Sequence, residues 1–196
     1  MRLVLATRNA HKLRELATLL EPHEVVALPA DVVLAPETAA TFAGNALQKA
    51  RAAARATGLA TIADDSGIEA QALGGAPGVR SARYAGEDAT DRENLAKLLR
   101  EAPAGSTLAY VCALAYVDAE GGELLVEGRC TGVLDSDPRG DGGFGYDPAF
   151  LPDDIADGRT MAELDPAEKD AISHRGRAAR ELLALLDGTQ PPWQDR

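Results

Sequence analysis

Two adjacent carboxylates, Asp64 and Asp65, followed by a hydroxyl and a glycine, close the apolar run Thr61-Ile62-Ala63. Acids at the end of a buried strand call for a cation, because an unpaired charge there is costly to desolvate. Successive strand side chains point to opposite faces, so the pair can share one centre only if the chain turns, and Gly67 would supply that turn. One carboxylate would then be a direct ligand or base and the other would orient it. A plain turn in which Asp and Ser bond their own backbone is the structural alternative. Glu37 is a third acid that folding could bring beside them.

The basic counterparts lie in two places. Thr7-Arg8-Asn9-Ala10-His11-Lys12 joins a strand to a helix, and a capped helix start presents N–H groups and the positive end of a dipole to an anion. Lys12 adds a charge on the first turn, although an ordinary capped helix with a solvated lysine reads the same way. Asn45 and Lys49 are four apart on one helix and share a face, which alone would be solvated surface. Gly140 to Pro148 formally contains GxGxxG, but no helix follows it, so a dinucleotide site is rejected. Its glycines instead allow close backbone approach to a flat ligand, with Phe144 or Tyr146 to stack on it or to fill the core.

The elements that must position these groups can be read from periodicity and punctuation. Arg2 to Ala6 predicts a first strand, Leu13 to Leu20 a helix, and Glu24 to Leu28 a second strand, with Pro29 to Glu37 a loop. Thr41 caps a helix over 42–57 that Gly58 closes. Ile68 to Leu73 predicts a short strand of its own, and Arg80 to Tyr84 an ordered loop without regular structure. Thr90 with Glu93 forms a capping box for a helix to about Arg100. Thr107 to Val117 and Leu124 to Leu134 form an antiparallel hairpin, which makes the sheet mixed. Asp165 caps a helix with Pro166 at its first position, and a final amphipathic helix ends at Gly188. A single domain over 1–188 with a loose tail over 189–196 is expected.

The composition sets limits. The 196 residues carry 20 Lys plus Arg against 31 Asp plus Glu, a formal charge of −11, which argues against general nucleic-acid binding. A small anion remains compatible if basic groups converge locally and a divalent metal offsets the rest. No apolar run approaches membrane-spanning length and the first residues do not form a signal peptide, so a cytoplasmic location without membrane partners is expected. Cys112 and Cys130 lack CxxC spacing and read as free core thiols.

The order Thr7/Asn9/Lys12, Glu37, Thr41-Phe42/Asn45/Lys49, Ala63-Asp64-Asp65-Ser66-Gly67, Gly74-Gly75-Ala76-Pro77-Gly78, Ser81-Ala82-Arg83-Tyr84, Gly142 to Asp147 and Ser173-His174-Arg175-Gly176 resembles the inosine/xanthosine triphosphate pyrophosphatase family. The likeness runs from Leu3 to about Leu186. It implies an elongated α/β fold in which a long mixed sheet and flanking helices form two lobes around a nucleotide cleft. It also implies a homodimer that hydrolyses ITP, dITP and XTP to the monophosphate and pyrophosphate with Mg²⁺. Substrate would be held by Thr7, Arg8, Asn9, Ala10, His11, Lys12, Lys49, Ser66, Phe144, Gly145, Tyr146, Asp147, Lys169, His174 and Arg175. Glu37 and Asp65 would hold the metal, and Asp65 would also be the catalytic base; one carboxylate does not easily do both, and the sequence leaves that open. The large side chains from Leu108 to Tyr116 are one possible dimer surface. A nucleotide sensor without turnover, or a pyrophosphatase for other modified nucleotides, is the alternative. The clustered acids favour catalysis, because beside phosphates they repel substrate unless a metal intervenes.

Overall fold

The computed structural model describes residues 1–188, so the tail expected over 189–196 lies outside the described residues. β1 (Arg2–Leu5) leads to α1 (Ala10–Leu19), and β2 (Glu24–Ala27) is followed by an irregular segment and α2 (Phe42–Thr57). Then come β3 (Thr61–Ala70), a 3₁₀ turn at Gln71–Leu73 and another at Gly78–Arg83, and α3 (Asp91–Glu101). β4 (Thr107–Val117), β5 (Glu123–Leu134), the short β6 (Phe150–Pro152), α4 (Pro166–Ile172) and α5 (His174–Leu186) complete the described chain. The six strands form one sheet in the order β2-β1-β3-β4-β5-β6. β1 is parallel to β2 and β3, with Leu3 opposite Val25 and Leu5 opposite Ile62, whereas β5 and β6 are antiparallel. β4 and β5 are joined by residues 118–122 alone, too few for a crossover, so they too run antiparallel and the sheet is mixed.

Helix punctuation follows the sequence closely. Asn9 caps α1, Thr41 caps α2, and Gly58 adopts the left-handed conformation at φ 66° that ends α2. Thr90/Glu93 and Asp165/Glu168 both form capping boxes. The 3₁₀ turn at Gly78–Arg83 gives regular structure where a loop was expected.

The central stretch departs from expectation. β3 does not end at the acids: it runs ten residues, through Asp64, Asp65, Ser66 and Gly67, and takes in Ile68 to Ala70 of the segment expected to form a separate strand, whose remainder is the 3₁₀ turn Gln71–Leu73. Gly67 makes no turn. A Cβ there would run into Ser81 Oγ and stand 2.7 Å from the Gly78 carbonyl oxygen, so the glycine is required by close packing.

The described chain divides into two compact units, one of Met1–Asp65, Cys112–Gly128 and Arg175 onward, the other of Ser66–Val111 and Arg129–His174. Each has its own core. In the first, Leu3 and Leu5 of β1, Leu16 of α1 and its C-cap Leu20, Leu114 of β4 and Leu182 of α5 are fully buried together. In the second, Ile68, Leu98, Leu108, Phe150 and Met161 play the same part. Burying one such side chain contributes roughly 1.5–3 kcal/mol, which anchors the strands that carry the polar groups below. Of the suggested dimer surface, Leu108, Tyr110, Cys112 and Leu114 are buried within the protomer and so do not form one, while Tyr116 is half-buried. Cys112 and Cys130 are free and buried. Among the described residues, no helix is long and apolar enough to cross a membrane.

Candidate active site

In the first unit, alternation along β3 sends the two acids to different partners. Asp65 faces α2, where Asn45 Nδ2 donates to its Oδ2 at 3.0 Å and Lys49 Nζ lies 3.3 Å from its Oδ1. The same ammonium donates to Glu37 Oε1 at 2.7 Å, so Lys49 is shared by both carboxylates. Asn45 and Lys49 are 0% and 6% exposed, contrary to a solvated face. They lie on the buried stripe Phe42, Asn45, Ala46, Lys49, Ala50 and Ala53, and that stripe was the readable signal. Burial raises the Asp65 pKa; Lys49 opposes this and the Glu37 charge adds to it. Lys49 is itself raised, because Asp65, Asp64 and Glu37 outweigh the burial that would lower it.

Asp64 has a different environment. Lys12 Nζ lies 2.5 Å from its Oδ1, Arg175 Nε donates to its Oδ2 at 3.1 Å, and the Cys112 thiol is 3.6 Å from Oδ2. Arg175 Nη1 also pairs with Glu15 at 2.5 Å. Burial works against the Asp64 charge, yet Lys12, Arg175 and Lys49 hold its carboxyl far below the usual range. Burial and the Asp64 charge push the Cys112 thiol well up, which leaves it a neutral core group. Asp64 therefore does not orient Asp65, as expected from a shared centre; it fixes Lys12 and Arg175.

Two expected substrate groups have protein partners for their guanidinium groups. Arg8 donates to backbone carbonyls of Leu28, Pro29, Ala30 and Val32, so its guanidinium holds a loop. The side chain of Arg175, 2% exposed, donates to Asp64 and to Glu15. At the start of α1, Asn9 Oδ1 accepts from the N–H groups of His11 and Lys12, and Thr7 Oγ1 from that of Asn9. Those donors are occupied by the cap, and the Lys12 ammonium is what the loop adds to the acids.

In the second unit Asp147 is the hub. Its Oδ1 accepts from Tyr110 OH, and its Oδ2 from Lys169 Nζ and the Phe144 N–H, each at 2.9 Å. Gly143, at φ 70°, leaves room for this: a Cβ would press on the Asp147 carboxylate and come within 3.1 Å of Lys169 Nζ. The Tyr110 ring stacks on His174 at 4.7 Å and 8°, and the Lys169 ammonium lies 5.3 Å from the Phe144 ring centroid. Tyr146 is buried with its hydroxyl on the Ser81 carbonyl at 2.7 Å, so it fills core, while Phe144 is half-buried. Gly145 N–H donates to Asp91 Oδ2 at 2.9 Å, and Ser66 is half-buried on β3. Tyr110 is a site residue that sequence reasoning misses, and strand parity does not single it out, because Leu108 through Ala115 are buried on both faces of β4.

The first unit's ion pairs form two sets, Lys12 and Arg175 with Asp64 and Glu15, and Lys49 with Glu37 and Asp65. Among the described residues no set of three or more His, Cys, Asp or Glu is placed to hold a metal ion. Glu37 and Asp65 form an oxygen-only pair with an excess of negative charge. That fits Mg²⁺, which takes one or two carboxylates and completes its shell with water and phosphate oxygens.

The Ham1 family model matches residues 3–185. A dITP/XTP pyrophosphatase of Mycolicibacterium paratuberculosis is 51% identical over 94% of this chain and 95% of its own length. One from Shigella flexneri is 50% identical over 94% of this chain and 98% of its own. The structure of a HAM1 protein from Coxiella burnetii superposes with a TM-score of 0.86 at 40% identity, covering 96% of this chain and 100% of that one. The crystal structure of a nucleoside-triphosphatase, dITP/XTP pyrophosphatase, from Mycobacterium abscessus gives 0.73 at 47% identity, with 93% and 99% covered.

Proposed function

This chain belongs to the Ham1 family, and from that premise we propose that it hydrolyses deaminated purine nucleoside triphosphates, ITP, dITP and XTP, to the monophosphate and pyrophosphate. The observation that carries the reading is the buried group in which Glu37 and Asp65 share Lys49. Attack of water on the α-phosphorus needs the triphosphate charge offset, pyrophosphate held and the water oriented. Lys12 and Lys49 are the cations for the phosphates. Asp65, whose basicity is raised by burial, orients the attacking water, as its base or as a ligand of the metal that holds it. Glu37 and Asp65 would hold Mg²⁺, which when bound supplies positive charge against the triphosphate.

The second unit's cluster has the chemistry for the base. Hypoxanthine and xanthine carry a carbonyl acceptor at C6 where adenine carries a donor, and Lys169 offers only donors. Phe144 offers a face for stacking. Donors left facing the adenine amino group would lose roughly 1–3 kcal/mol each, which is selectivity against ATP.

The test is product identity on a panel of nucleoside triphosphates. Pyrophosphate released with EDTA-sensitive kinetics is expected, and orthophosphate as first product rules the scheme out. A homodimer acting on the cytoplasmic nucleotide pool completes the proposal, and sedimentation at micromolar concentration checks the dimer.

A further inference from the structure

The segment between β2 and α2 carries Glu37 but forms no helix or strand. Something other than regular hydrogen bonding must therefore fix where that carboxylate stands. Two side chains do so, one toward each end. Arg8 Nη1 donates to the Leu28 carbonyl at 2.8 Å, and Nη2 donates to those of Pro29 and Val32 at 2.8 and 2.7 Å, with Ala30 at 3.4 Å. Carbonyl oxygens turned toward one point repel each other unless a donor stands among them, and the planar guanidinium fork meets that need.

At the other end, two residues past Glu37, the Ala39 N–H donates to Asn45 Oδ1 at 2.8 Å. The same amide's Nδ2 donates to Asp65 Oδ2 at 3.0 Å. A backbone N–H can only donate and a carboxylate can only accept, so chemistry fixes which way this amide points. Asn45 is fully buried, and one side chain thus registers the loop bearing one acid against the strand bearing the other. Lys49, one turn further along α2, closes the arrangement on both acids.

We infer that Arg8 and Asn45 are positioning residues that set the spacing of Glu37 from Asp65, Arg8 by clasping the loop and not by contact with phosphate. The inference rests on the reading of Glu37 and Asp65 as the reaction centre. Asn45 touches one acid directly, whereas Arg8 acts only through the segment, which makes Arg8 the cleaner probe.

Asn45→Asp keeps the acceptor for Ala39 but sets a carboxylate against Asp65. It is expected to lower kcat for dITP by about 100-fold while KM moves less than about threefold. Arg8→Met is expected to lower kcat about tenfold with KM held, because misplacement and not lost attraction is the defect. In a Glu37→Gln background the same Arg8 change should cost less than about twofold. A raised KM with unchanged kcat for Arg8→Met, or an equal factor in both backgrounds, overturns the inference. Exchange of the Ala39 amide, followed by NMR in the ligand-free protein, reads the clasp without turnover. Faster exchange in Arg8→Met supports it, and unchanged protection overturns it. Should the parent chain hydrolyse no deaminated purine triphosphate, the functional reading falls while the exchange measurement still decides the clasp.

Discussion

Asp64 and Asp65 are one peptide apart on one strand, yet their surroundings do opposite things to them. Asp64 has two cations within 3.1 Å, Lys12 and Arg175, and its charge is held on strongly. Asp65 shares one ammonium with a second carboxylate, and burial raises its pKa. The strand's two-residue period is the whole cause, since it presents neighbours to opposite faces. The difference teaches that one residue type can carry a charge locked in ion pairs or a carboxyl of raised pKa: the local ratio of acids to cations decides which is which.

The sharpest way to break this comparison is Asp65→Asn. Turnover should fall by at least about 100-fold, or about 2.7 kcal/mol, while the melting temperature holds or rises, because a raised carboxyl destabilises the folded state when ionised. Activity equal to the parent, or a lowered melting temperature, would remove the contrast. Asp64→Asn should do the reverse: lose about 3 kcal/mol of stability, since Arg175 and Lys12 are left with a broken buried pair, and lose less turnover per folded molecule. Urea unfolding measures it.

The pH dependence of that unfolding sharpens the point. Asp64 is depressed from 3.8, so its stabilisation is fully present above pH 3.8 and is lost as pH falls below that value. Asp65 is raised from 3.8, so stability is lost as pH rises from 3.8 through its folded value. Asp64→Asn should flatten the acid limb of urea midpoint against pH, and Asp65→Asn should remove the fall above it. Midpoints that move together in both variants would contradict the assignment.

The smallest expected effect separates the two clusters by substrate. Lys169→Met should narrow the dITP to dATP ratio of kcat/KM by roughly tenfold, the worth of about one donor against a carbonyl. Arg175→Ala should lower both substrates alike, because its guanidinium holds Asp64 and Glu15. A ratio narrowed by Arg175→Ala alone would return base reading to Arg175.

The sequence by itself determined the helices, their caps, the mixed sheet and the inventory of acids and cations. These are local matters: capping residues act within three positions, and Thr41, Gly58, Thr90 and Asp165 each stand where the structure uses them. Glu37, Lys49 and Asp65 were likewise legible as a set of residue types. Their partners were decided only by tertiary structure. Gly67 read as a turn because glycine permits one, but β3 runs straight through it, the missing Cβ admits Ser81, and strand alternation parts Asp64 from Asp65. The family resemblance places Arg8 among the substrate-binding residues, but carbonyls twenty and more residues away claim its guanidinium. Charge tells what a side chain can bind, whereas which partner it meets depends on contacts between distant segments, and no local spacing encodes those.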